Sequence, residues 1–148
     1  MIDNIKSVDM YKAIDYALLA IFAIAFFSSV VLSLKSASAF CVSPTSCDLV
    51  QGSEYSSTFG VKNSHYGVVI FAFLFAVMAW HLFEPHHRKH MIAKIGVGIG
   101  SLVSIYFIFL QVFVIKAFCT YCMIVDISLL LALALVLLHV KGKGWKGS

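Results

Sequence analysis

The sequence has little charge. Of its 148 residues 12% are Asp, Glu, Lys or Arg, while 61% are hydrophobic and the mean hydropathy is +0.94. An average globular chain carries about 25% charged residues, so too little polar surface is present here to cover a soluble domain. The net charge of +4 is spread along the boundaries of apolar runs and forms no patch, which argues against a nucleic-acid surface. The two prolines, Pro44 and Pro85, both fall outside those runs. Neither a solenoid repeat nor an appended soluble domain is visible.

What is present is a set of four apolar runs, each long enough for the roughly 20 residues that cross a bilayer. The expected spans are about 16–34, 66–83, 92–115 and 119–140, with one long polar loop over 35–64, all within a single membrane domain, 1–148. The fold class is therefore an all-α integral membrane protein, a four-helix bundle with a loop and half-helix lid. Ser36-Ala37-Ser38-Ala39 looks like a signal-peptidase site. However, the run before it exceeds a typical signal core and follows acidic residues, so retention as a span is expected. Gly96, Gly98, Gly100 and Ser101 open the third span, and small residues let helices approach closely in lipid.

Basic residues set the orientation. Lys6, Lys12, Arg88, Lys89, Lys94, Lys141, Lys143 and Lys146 fall on one side, against Lys35, Lys62 and Lys116 on the other. Both termini and the turn containing His86, His87 and His90 are thus expected in the cytoplasm of a multi-pass cell-membrane protein. Those histidines read as solvated residues of that turn, in preference to ligands for a stray metal ion.

The four cysteines fall as two pairs, Cys41/Cys47 and Cys119/Cys122, and allow three disulfide connectivities. The orientation places all four at the outer, oxidising face. Cys119-Thr120-Tyr121-Cys122 opens a predicted helix, where sulfurs three residues apart share a face and the positive helix end favours thiolate. Taken alone, the motif also fits zinc ligation, which would need two more soft ligands, or small apolar packing. Cys41/Cys47 fits either a structural staple or half of an electron relay. Residues 48–59 read as a short surface helix ended by Gly60, carrying Cys47 over Cys119.

These ordered motifs, Cys41-x5-Cys47, Ser53, Phe59-Gly60, Asn63-Ser64-His65-Tyr66-Gly67 and Phe118-Cys119-x-x-Cys122, resemble the vitamin K epoxide reductase family, most of all its bacterial and archaeal members. The resemblance implies a thiol–disulfide oxidoreductase that oxidises a thioredoxin-fold extracytoplasmic partner and reduces a membrane quinone (ubiquinone, menaquinone or a vitamin K-like compound), with no metal. It implies that Cys41 exchanges with the partner, Cys47 passes electrons to Cys119, and Cys122 reduces the quinone. It implies that Asn63 bonds a quinone carbonyl and that Ser53 lies near the relay. The quinone pocket is expected between helices one, two and four, and the residues themselves add His65, Tyr66 and Asp126 as further candidates.

Asp126 departs from the vertebrate pattern, which has tyrosine there. A carboxyl inside a membrane is a functional candidate: it is expected either to relay a proton to the reduced quinone or to bond Tyr106 or Gln111 on the third span. His65, at the outer mouth of the second span, reads first as an interfacial anchor and second as a group that stabilises a developing quinol oxyanion. A disulfide-bond B-type oxidase has its CxxC before helix two, whereas here it opens helix four. The alternative from another class is a non-catalytic membrane assembly protein with one structural disulfide.

Overall fold

The computed structural model describes residues 2–34 and 44–144. Cys41 lies outside them. Among the described residues, four stretches are long and apolar enough to cross a membrane: Ile5–Ser33, Asn63–Phe83, His87–Ile115 and Thr120–Lys141.

Helix α1, Ile2–Ser33, has neither glycine nor proline to interrupt it. Its 32 residues extend about 48 Å at 1.5 Å per residue, more than the roughly 30 Å hydrocarbon core. The polar first turns therefore continue the helix beyond the apolar run that starts near residue 16. A short helix α2 (Pro44–Gln51) comes next. It is followed by a 3-10 turn, Glu54–Ser56, and two strands, β1 (Ser57–Thr58) and β2 (Val61–Lys62). Three long helices complete the chain: α3 (Asn63–Phe83), α4 (His87–Phe109) and α5 (Thr120–Gly144).

The long helices pack in a ring, α1 against α3, α3 against α4, α4 against α5 and α5 against α1. Short connections force neighbouring helices antiparallel, which gives an up-and-down bundle. Leu18, Phe22, Leu74, Met78, Val97 and Ala132 fill its centre. Two glycines allow close approach. A Cβ on Gly67 would meet Ser29 Oγ at 2.8 Å, and one on Gly96 would meet Leu74 Cδ2 at 2.7 Å; Gly98, by contrast, faces open space.

Two expectations are corrected. The lid helix does not follow Cys47 but contains it. Proline suits a first helical turn because its missing N–H has no partner there anyway, so α2 starts at Pro44 and its last turn closes through Gly52 N–H to Asp48 O at 2.8 Å. Gly60 is then the tip of a β-hairpin, not a helix stop: Phe59 and Gly60 both have positive φ, 55° and 80°, as a two-residue hairpin turn requires. His90 is the second correction. It is buried, 6% exposed, inside the bundle, while His86 and His87 are exposed.

Candidate functional site

The thiol end of the bundle is built from α2, α5 and the join between α4 and α5. After Phe109, α4 widens into a π-helical segment, Leu110–Ile115, and stops at Lys116, whose φ of 55° is left-handed. π-Helical turns frequently mark functional positions, because the extra residue re-aims a side chain. Here that side chain is Gln111, 2% exposed. Its Oε1 accepts the backbone N–H of Cys119 at 3.0 Å, and its Nε2 lies 3.4 Å from Asp126 Oδ2.

Cys119 stands immediately before α5. Its carbonyl accepts Met123 N–H at 2.9 Å and its sulfur accepts Cys122 N–H at 3.4 Å, so it caps the helix as a serine would. The hydrogen bond from the Cys122 side chain lowers the Cys119 thiol to about 7, against the burial that raises it. Both Cys119 and Cys122 are free thiols. Cys47 is disulfide-bonded. It is 1% exposed and shares one packed cluster with Leu32, Val50, Ala117 and Cys119, with Cys122 against it. Residues far apart in sequence thus bring disulfide-bonded Cys47 and the free Cys119/Cys122 pair together.

Beneath the thiols opens a cavity of about 430 Å³ with mostly apolar walls, the type of site that takes a drug-sized apolar ligand with a few orienting polar groups. Cys122 and Asp126 face it from α5, Ser53, Asn63 and Tyr66 from the lid and α3. All four long helices bound it, including α4 through Val103 and Ser104, so the pocket is not confined to the first, second and fourth spans. His65 is exposed and does not line it.

The polar candidates hold one another in place. Asn63 Nδ2 donates to Tyr55 O at 2.8 Å and Asn63 Oδ1 accepts Thr58 Oγ1 at 2.8 Å. Tyr66 Oη donates to Thr58 O at 3.2 Å. One amide hydrogen of Asn63 is left over, since an amide nitrogen has two. Ser53 Oγ donates to Val50 O at 2.7 Å. Of the two partners expected for Asp126, Gln111 is the one in reach, because Tyr106 is 52% exposed on another face of α4.

Gln51 was not legible as a site residue. Its Nε2 donates to Cys122 Sγ at 3.4 Å. The signal was its position four residues after Cys47, which is the same helical face once α2 is known to start at Pro44.

The model of the vitamin K epoxide reductase family matches residues 15–137, which include both cysteine pairs and the cavity. No curated protein matches the chain. With its four apolar helices and its paired thiols above an apolar cavity, the chain belongs to the vitamin K epoxide reductase family of multi-pass membrane oxidoreductases, whose members use quinone as electron partner.

Proposed function

We propose that this chain oxidises the thiols of a thioredoxin-fold partner and passes the electrons to a membrane quinone. The observation that carries the proposal is the packing of disulfide-bonded Cys47 against the free Cys119/Cys122 pair, with Cys122 on the wall of the cavity. Family members typically work with thioredoxin-like partners, and the basic residues favour an orientation with both termini in the cytoplasm and the thiols outside.

The electron path is a series of thiol–disulfide exchanges. A partner thiolate attacks the Cys41–Cys47 disulfide, and the partner's second thiol resolves the mixed disulfide. The partner leaves oxidised, and Cys41 and Cys47 are reduced. Cys47 thiolate then attacks Cys119 of an oxidised Cys119–Cys122 pair and expels Cys122 thiolate. Cys41 attacks Cys47, restoring the outer disulfide and leaving Cys119 and Cys122 as free thiols, the state in which the structure holds those two residues. In the final step the two inner thiols become a disulfide, and two electrons and two protons reduce the quinone to quinol.

The surroundings suit each role. Gln51 donates to Cys122 and steadies its sulfur at the cavity wall. The Gln111 bond to Cys119 N–H fixes the start of α5. Asn63, with its spare amide hydrogen, orients a quinone carbonyl, and Asp126, on the same wall as Cys122, transfers a proton to the reduced ring. Ser53 and Tyr66 complete the polar part of the lining.

The test is quinone reduction by purified protein supplied with a reduced thioredoxin-fold partner, comparing wild type with Cys41→Ala, Cys47→Ala, Cys119→Ala and Cys122→Ala. Partner-driven turnover is expected to vanish in all four, and a small dithiol to restore only the two outer-pair variants. If wild type reduces no quinone while the Cys47 disulfide stays intact under the partner, the chain is a stapled membrane scaffold instead.

A further inference from the structure

At the opposite end of the bundle lies a second polar cluster that thiol–quinone chemistry does not use. Asp15 comes from α1, His81 from the last turn of α3 and His90 from the first turn of α4. Cys119 and His139 are twenty residues apart along α5, about 30 Å at the helical rise, and His139 stacks on His90 with ring centroids 4.3 Å apart. The cluster is thus remote from the thiols. Charged and polar groups inside a membrane bundle are expensive, and their presence calls for a function.

We propose that Asp15, His81 and His90 form a site for one divalent transition-metal ion of the zinc class. One donor atom from each residue lies within 4.8 Å of the other two. Asp15 Oδ1 is 3.2 Å from His90 Nε2 and Asp15 Oδ2 is 3.8 Å from His81 Nε2. Donors about 2.0–2.1 Å from a tetrahedral ion stand about 3.3–3.5 Å apart, so both separations close on a shared ion with shifts of a few tenths of an ångström. The donor set, two imidazoles and a carboxylate, suits zinc and its first-row neighbours and not magnesium or calcium, which prefer all-oxygen shells.

An interhelical hydrogen-bond clamp is the simpler explanation, and it accounts for one of the two histidines. His90 to Asp15 at 3.2 Å is such a bond. His81 at 3.8 Å is beyond hydrogen-bond reach, yet its ring is held against the pair, with its centroid 5.1 Å from that of His90. The side chains are 13%, 13% and 8% exposed for Asp15, His81 and His90: shielded enough to desolvate an ion, and open enough at the bundle end to admit one. Ligation requires one adjustment. His81 Nδ1 accepts the His86 amide at 3.3 Å, and a ring bound to metal through Nε2 carries its proton on Nδ1. That contact must open, which the exposed turn from Glu84 to His86 allows. Three protein donors leave a fourth position for water. The ion would tie α1, α3 and α4 together where the chain has no disulfide-forming cysteines.

The full chain, purified in detergent with any affinity tag removed and stripped with chelator, is titrated with Zn²⁺ by calorimetry and with Co²⁺ by visible absorption. One ion per chain is expected, with Co²⁺ d–d bands but no thiolate charge-transfer band, and the same uptake in a Cys119→Ser/Cys122→Ser background. Asp15→Asn, His81→Gln and His90→Gln are each expected to weaken binding by about 100-fold or more, since loss of second-shell support alone costs 10–100-fold. A His86→Gln/His87→Gln variant is expected to bind as wild type does. The proposal is overturned if the thermally stable wild-type protein takes up no stoichiometric ion. It is overturned equally if uptake survives the three ligand substitutions, or disappears with the surface histidines or the thiols. None of these readouts depends on quinone reduction, so failure here leaves the electron relay untouched.

Discussion

Gln111 Oε1 accepts the backbone N–H of Cys119 at 3.0 Å while the same amide presents Nε2 to Asp126 Oδ2 at 3.4 Å. One buried side chain thereby links the first cysteine of the CxxC to the carboxyl on the cavity wall. Replacing Gln111 by Ala strands the buried N–H of Cys119 and leaves the Asp126 carboxyl with Ser104 alone, and an unsatisfied buried group costs about 1–3 kcal/mol. The variant is expected to unfold at lower temperature in detergent and to reduce quinone more slowly. Gln111→Glu retains the acceptor for Cys119 N–H but loses the donor to Asp126. A Glu variant with full turnover would show that only the Cys119 contact matters.

Asp126→Asn keeps the size of the side chain and removes its transferable proton. If Asp126 delivers a proton to the reduced quinone, turnover falls by about 100-fold, the lower end of the range for a positioned general acid, and its pH dependence changes shape. Steady-state rates across pH decide the matter. Unchanged rates would leave Asp126 as a structural hydrogen-bond partner of Gln111 and Ser104.

The Cys119 thiol is lowered below the usual thiol range, chiefly because the Cys122 side chain hydrogen-bonds its sulfur, so its thiolate forms at lower pH than that of an ordinary cysteine. Cys122→Ala removes the largest cause of the lowering and leaves burial opposed only by the backbone N–H groups of residues 121 and 122 and by Gln51, so thiolate formation is expected to move to higher pH. Ultraviolet thiolate absorbance, followed with the outer disulfide intact, measures the midpoint directly. An unmoved midpoint would mean that the helix end, and not Cys122, sets the acidity.

Gly67→Ala forces α3 away from α1, since its Cβ would fall 2.8 Å from Ser29 Oγ and 3.3 Å from Ser29 Cβ. Overpacking of this type costs about 1–3 kcal/mol. Ser29→Ala removes the nearer atom, so the double variant is expected to recover part of the lost thermal stability. Simple additivity of the two substitutions would place the strain elsewhere.

Much of the architecture was legible because the bilayer imposes a length on each apolar run, and runs that cannot be covered by polar residues have few other solutions. The CxxC at the start of the last span followed from local spacing: Cys119 and Cys122 are one helical turn apart in any structure that makes residues 120–140 a helix. Asp126 was conspicuous as a carboxyl in an otherwise apolar stretch. The lid was less legible. Pro44 can be either the end of a loop or the first turn of a helix, and local sequence does not choose between them. Placing α2 from Pro44 moved Cys47 inside it and turned Gln51 toward the thiols.

The sequence by itself determined the solvent, the four spans and the two cysteine pairs, since hydropathy and spacing are local properties. Only the tertiary structure decided which distant groups meet. Gln111 reaches Cys119 because a π-helical segment shifts its direction. Cys47 packs against Cys119 because the lid folds back over α5. His90, read from sequence as a solvated turn residue, is buried against Asp15 because the up-and-down packing brings α1 beside the α3–α4 turn. Such contacts depend on how helices are rotated and stacked about one another, and no short window of residues carries that information.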